Sequence, residues 1–271
     1  MVVREIINSE KLNGEREIFI YLPPNYDEDE SQFFPCLYMQ DGQNLFSEMG
    51  DSPYGKWNVD LTAETLIAEE KIEPLIIVGV ANSEWRDYEY TPTYDESEEC
   101  GGYADIYLEF MTEELIPFIN EKYRVLLDRE FTSICGSSLG GLLSIYALIN
   151  YSDVFSSAAA LSPSIWWDNK YILGYADNCD FNSEDLRLWV DMGWYEDAET
   201  DDDEDTEEEN NNVESVDDTR DLYEILIEKG FEEGENFIYY EDTEGFHNEV
   251  SWAERMEMVL QFLYPINEIS T

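Results

Sequence analysis

Short apolar runs, rich in β-branched and aromatic side chains, alternate along the chain with longer stretches whose apolar positions recur every three or four residues. The short runs cover Arg16 to Leu22, Pro35 to Gln40, Leu75 to Val80, Phe131 to Cys135, Ser157 to Leu161, Leu186 to Asp191 and Phe237 to Glu241, and they predict strands. The longer periodic stretches predict helices over Asp105 to Tyr123, Leu139 to Asn150, Thr219 to Lys229, where Gly230 stops the pattern, and Asn248 to Leu263, ended by Pro265. Strands separated by helices imply a mainly parallel central sheet with helices on both faces. The first two strands, joined by LPPNYDEDESQFF, are expected to form an antiparallel edge.

The chain has 271 residues, of which 43% are hydrophobic and 14% aromatic, enough to bury one large core. A single domain over residues 1–271 is the expectation. The segment MVVREIINSE has no basic region followed by an apolar run, and no stretch reaches the 18 or so apolar residues of a membrane span, so a cytoplasmic protein is expected. Cys36, Cys100, Cys135 and Cys179 form no CxxC pair, which suggests neither a zinc site nor a disulfide framework. Cys36 and Cys135 read as small buried strand residues.

Charge changes the picture of the solvent. The chain carries 64 acidic and 14 basic residues, a net charge of −50. From Glu196 to Asp218 there are 14 acidic and no basic residues, but the rest of the chain still holds 50 against 14, so the acidity belongs to the whole surface. Such a surface repels itself at ordinary salt, whereas at ~1 M salt the screening length falls to roughly 3 Å. The expectation is a salt-adapted protein with neither nucleic acid nor anionic membrane as partner. Residues at about 199–218, of low complexity and without aromatics, are expected to be a disordered acidic insertion. Asp201, Asp203 and Asp205 alternate as in a calcium loop, but Thr206 replaces the needed Gly and Asn212 the needed Glu.

The candidate chemistry lies in one pentapeptide and one imidazole. Gly136-Ser137-Ser138-Leu139-Gly140 follows a strand and opens an apolar helix, the context of a nucleophile elbow, although a Gly/Ser helix cap would read similarly. Serine needs an adjacent base, and His247 is the sole histidine of the chain. It falls after the last strand, in the order serine, acid, histidine found in α/β-hydrolases. The acid is expected after the strand LRLWVD, in the strand-end turn that opens with Met192-Gly193-Trp194-Tyr195, with Glu196 preferred and Asp197 the alternative, while Asp191 supports the turn. The backbone N–H groups of Leu139 and of Gln43, in the turn Asp41-Gly42-Gln43-Asn44, are the candidate oxyanion donors.

Five landmarks extend this: IFIYLPPNYD, LYMQDGQNLF, VGVANSEWRDYEYTP, the long segment from Tyr123 to Trp167 with its elbow, and GFHNEVSWAERMEMVLQFLY. With them the chain resembles the esterase family of α/β-hydrolases that includes esterase D, feruloyl and acetyl-xylan esterases, enterochelin esterases and the mycolyltransferases. The resemblance covers nearly the whole chain. It implies the α/β-hydrolase fold, with Ser138 as nucleophile, His247 as base, Glu196, three residues after Gly193, as acid, and Gln43 after Asp-Gly as oxyanion donor. Where relatives commonly have Thr after that glycine, this chain has Trp194.

The expected function is therefore a serine carboxylic ester hydrolase working through an acyl-enzyme on a small-molecule ester, with no cofactor and no metal. Trp85, Arg86, Trp166 and Trp167 are candidate substrate-binding residues, beside Trp57, Asn82 and Tyr90; core packing or loop anchoring is the other reading for the aromatics, and pairing with a carboxylate the other reading for Arg86. Acyl transfer to another alcohol would use the same residues. A noncatalytic binding protein that holds a basic partner on its acidic loop is the reading from another class.

Overall fold

The computed structural model describes residues 1–49, 55–196 and 213–266. In chain order the elements are β1 (Val2–Ser9), β2 (Gly14–Tyr21), β3 (Cys36–Met39), α1 (Val59–Ala68), β4 (Ile76–Val80), α2 (Arg86–Glu89), β5 (Tyr94–Asp95), β6 (Cys100–Gly101) and α3 (Ala104–Phe110). A π turn at Met111–Leu115 leads into α4 (Ile116–Lys122), followed by β7 (Thr132–Ser137), α5 (Leu139–Asn150), β8 (Ser157–Leu161), α6 (Trp167–Asn178), β9 (Arg187–Tyr195), α7 (Val213–Glu228), β10 (Phe237–Phe246) and α8 (Glu249–Leu263).

Among the described residues eight strands form one sheet in the order β1-β2-β4-β3-β7-β8-β9-β10, and β5 pairs with β6 in a separate short hairpin. From β4 to β10 every pairing is parallel, while β2 runs antiparallel to both β1 and β4. Side-chain alternation divides the core in two. Cys36 and Tyr38 of β3, with Ile76, Val78 and Val80 of β4, pack into the cluster that takes in α3, α5, α6 and α7. Leu37, Met39 and Ile77 face the opposite way, into the cluster formed with α1 and α8. Both faces of the sheet are thus covered, and this is why its central strands are apolar throughout.

Several expectations need correcting. The antiparallel edge exists, but it is β1 with β2; β3 lies inside the sheet, parallel to β4 and β7. Met192 to Tyr195 form no turn, because β9 runs on beside β10, with Gly193 opposite Asp242 and a bulge before Phe246 pairs with Tyr195. Helix α7 is already formed at Val213, ahead of the expected Thr219, so residues 213–218 of the expected insertion are helical. Asp197 and residues 199–212 lie outside the described residues. Among the described residues no helix is long and apolar enough to cross a membrane.

The parallel arrangement sets the site. Strands β3, β7, β8, β9 and β10 all point the same way, so their carboxyl ends share one edge. Ser138, Ser162, Glu196 and His247 each follow directly on the last residue of β7, β8, β9 and β10, and Asp41 follows β3 by two.

Candidate active site

The chain leaves three of these strands abruptly. Asp41, Ser138 and Ser162 have φ of 54°, 58° and 42°, a left-handed region that non-glycine residues rarely adopt. At the elbow the strain is held from both sides: Ser138 N–H donates to Leu161 O at 3.0 Å, and its carbonyl accepts from Leu142 N and Ser164 N at 3.0 and 3.1 Å. A β-carbon on Gly136 would come within 2.4 Å of Gln40 Oε1 and 2.7 Å of the Gly140 carbonyl carbon. The glycine is therefore required by close approach, and the turn it permits lifts the Ser138 side chain to the sheet edge.

Ser138, Ser162, Pro163, Ser164, Trp166, Met192, Glu196, Ser215 and His247 line a cavity of about 160 Å³. Ser138 Oγ stands 3.3 Å from Ser164 Oγ. His247 Nδ1 contacts Glu196 Oε2 directly, and its ring stands edge-on to Trp252, with centroids 5.1 Å apart. A carboxylate can only accept, so Nδ1 carries the proton and Nε2 is left as the basic nitrogen. The imidazole is fixed from behind as well. Asn248 caps α8 by accepting Ser251 N–H at 3.0 Å, and Phe246 N–H donates to Ser251 Oγ at 3.0 Å, so both neighbours of His247 are tied to the first turn of the helix.

Glu196 is buried, and its Oε1 takes N–H of Gly193 at 2.6 Å and the hydroxyl of Ser162 at 2.7 Å. Trp194, the departure from the family pattern, points elsewhere and donates its indole N–H to Glu241 at 3.1 Å. Asp191 is engaged away from the imidazole, accepting Ser162 N–H, the Trp189 indole and Arg255 Nη1, the last at 2.6 Å. Burial pushes the Asp191 carboxyl up to about 6, against the opposing pull of Arg255 and these hydrogen bonds.

Gln43 lies in a single 3-10 turn after β3, next to β7 in the sheet, and Leu139 opens α5. The turn is pressed onto β4, since a β-carbon on Gly42 would meet the Gly79 carbonyl carbon at 2.6 Å. Asp41 anchors it by accepting Arg86 Nε and Nη2 at 2.8 and 2.9 Å and Asn82 Nδ2 at 2.6 Å, while Gln43 Oε1 accepts Asn82 N–H. Arg86 also lies over the Tyr90 ring at 5.0 Å.

Among the candidate substrate residues, then, Arg86 is engaged with a carboxylate of the turn. Trp167 is buried with its indole N–H on Thr93 O, which makes it an anchor. Trp166 is half exposed and lines the cavity; Trp85 is exposed and packs against Tyr88. Trp57 is buried against Trp252. Sequence reasoning missed Ser162, Trp252, Arg255 and Glu249, whose carboxylate accepts Asn44 Nδ2 at 3.1 Å. A signal for Arg255 was present: it is the one basic residue in a final helix where Trp252, Met256 and Val259 mark the apolar face.

Comparison with known proteins gives the family of the chain. The family model described as "Putative esterase" matches residues 9–263. The chain belongs to this esterase family. It is 27% identical over 267 residues to the uncharacterized protein YbbA of Bacillus subtilis, covering 96% of each. It is 34% identical over 161 residues to a siderophore enterobactin esterase of Emericella nidulans, a match that spans 51% of this chain and 48% of that one. In structure it is similar to a ferulic acid esterase, with a TM-score of 0.72 at 20% identity over 97% of this chain and 98% of the other. As an esterase-family member with this sheet, the chain has the α/β-hydrolase fold.

Proposed function

We propose that the chain is a serine carboxylic ester hydrolase in which Ser138 attacks the ester carbonyl, His247 accepts and returns the proton, and Glu196 holds the imidazole. The observation that supports this most is the contact between His247 Nδ1 and Glu196 inside the cavity that Ser138 also lines. Nε2 takes the Oγ proton as the C–O bond forms, and passes it to the departing alcohol oxygen as the acyl-enzyme appears. A water then repeats the sequence and releases the acid. Leu139 and Gln43 N–H groups receive the developing oxyanion; the bonds that hold the Asp41 turn and the elbow fix the backbone of both in advance.

The cavity suits a small acyl group. Its volume of about 160 Å³ is close to the roughly 150 Å³ that accommodates benzene in a dry protein cavity. The net charge of −50 supports a working solvent of high salt, as in a salt-accumulating cytoplasm.

Hydrolysis of p-nitrophenyl acetate and butyrate in molar KCl tests the reading. Ser138→Ala is expected to lower kcat by more than about 10³-fold with an unchanged circular dichroism spectrum, and to abolish labelling by a fluorophosphonate. A Ser138→Ala protein that kept either property would sink the assignment.

A further inference from the structure

The oxygen of Ser162 is saturated in a way that leaves its proton only one direction. Trp252 Nε1 and Arg255 Nη2 donate to it at 3.1 and 3.2 Å, and both groups are donors only. With both lone pairs occupied, the single hydroxyl proton goes to Glu196 Oε1, 2.7 Å away. Gly193 N–H fills the other acceptor direction of the same Oε1. The Glu196 carboxylate is thereby fixed in plane and in rotation, with Oε2 left for His247.

The backbone of Ser162 is pinned as firmly as its side chain. Its N–H donates to Asp191 Oδ1, which takes Arg255 Nη1, and Arg255 returns through Nη2 to Ser162 Oγ. The ring of three residues closes on itself with Asp191 and Arg255 wholly buried, and it accounts for the φ of 42° at Ser162.

We propose that Ser162 is a positioning residue for the acid of the triad: Arg255 and Trp252 aim its hydroxyl at Glu196, so that the carboxylate meets His247 in one orientation only. This inference rests on the role of Glu196 proposed above. It requires that Ser162 act through Glu196 and through nothing else in the reaction.

A double-mutant cycle separates the two claims. Ser162→Ala is expected to lower kcat roughly 10²-fold, the cost of misplacing a reacting group by about 1 Å, with KM within about 2-fold. In a Glu196→Ala background the same substitution is expected to change kcat by less than about 2-fold. An equal loss in both backgrounds, or no loss in the first, overturns the inference while leaving Glu196 its role. Unaltered kcat for Glu196→Ala alone overturns the role itself and the inference with it. Should Ser162→Ala not fold, Ser162→Gly carries the same cycle, because it removes the same hydroxyl and suits the φ of 42° at this position.

Discussion

The Glu196 carboxylate occupies the space that a side chain on Gly193 would need: a β-carbon there would stand 2.5 Å from Oε1 and 2.5 Å from the Gly245 carbonyl oxygen. The smallest possible substitution, Gly193→Ala, is therefore expected to displace Glu196, the proposed acid. We expect kcat to fall about 10²-fold through misplacement of the acid, and stability to drop by about 1–3 kcal/mol from overpacking. Steady-state kinetics and urea unfolding measure the two effects on one sample.

Arg86 clamps the turn of Gln43 through two bonds to Asp41. Arg86→Ala is expected to cost about 1.5–3 kcal/mol of stability, the range for hydrogen bonds to charged groups in a partly buried site. If Gln43 N–H receives the oxyanion as proposed, the substitution is also expected to lower kcat more than it raises KM, because loosening that turn weakens transition-state binding first. A rise in KM alone would identify Arg86 as a substrate contact.

Asp191 sets a pH dependence. Its folded value of about 6 lies above the ordinary carboxylate value of about 4, so between about pH 4 and 6 the folded protein holds a proton that the unfolded chain has released. Its contribution to stability therefore falls as pH rises through that window. The difference in unfolding free energy between the parent protein and Asp191→Asn is expected to change between pH 4 and 6 and to be flat above. A flat difference throughout would place the carboxyl at its ordinary value.

Removing the cation of the same pair is expected to do more harm. Arg255→Met leaves Asp191 buried without its partner, and the expected loss is about 3–5 kcal/mol at pH 7. Thermal unfolding against pH checks the cause, since protonation of Asp191 at low pH is expected to recover part of the loss.

Salt is expected to act on the whole molecule. With 64 acidic residues against 14 basic ones, unfolding midpoints are expected to rise between 0.1 and ~1 M KCl as the screening length shrinks from roughly 10 to 3 Å. Midpoints unchanged or falling over that range would remove the case for salt adaptation.

What the sequence made legible was local. The elbow helix Leu139–Asn150 and the strand Ser157–Leu161 match the predicted bounds, because each is a buried element whose pattern is uninterrupted. The motifs marked His247 and Glu196 in the chain, and the structure brings these two side chains into contact. Strand β1 escaped because it is a half-exposed edge with charged positions, and α1 because its apolar face is short. The Ser162 network was hidden for another reason. Its partners Trp252 and Arg255 are 90 and 93 residues away, and only the meeting of β8 with α8 in space brings them together.

The order of strands also ranks the members of the site by how firmly the sheet grips them. Ser138 follows β7, which has a neighbour on each side, whereas His247 follows β10, which among the described residues has one. Fraying that begins at the outer strand takes away His247, the proposed base, while Ser138, the proposed nucleophile, stays in register. Activity in this architecture therefore reports on the rim of the domain, and heat should silence the enzyme before it melts the centre.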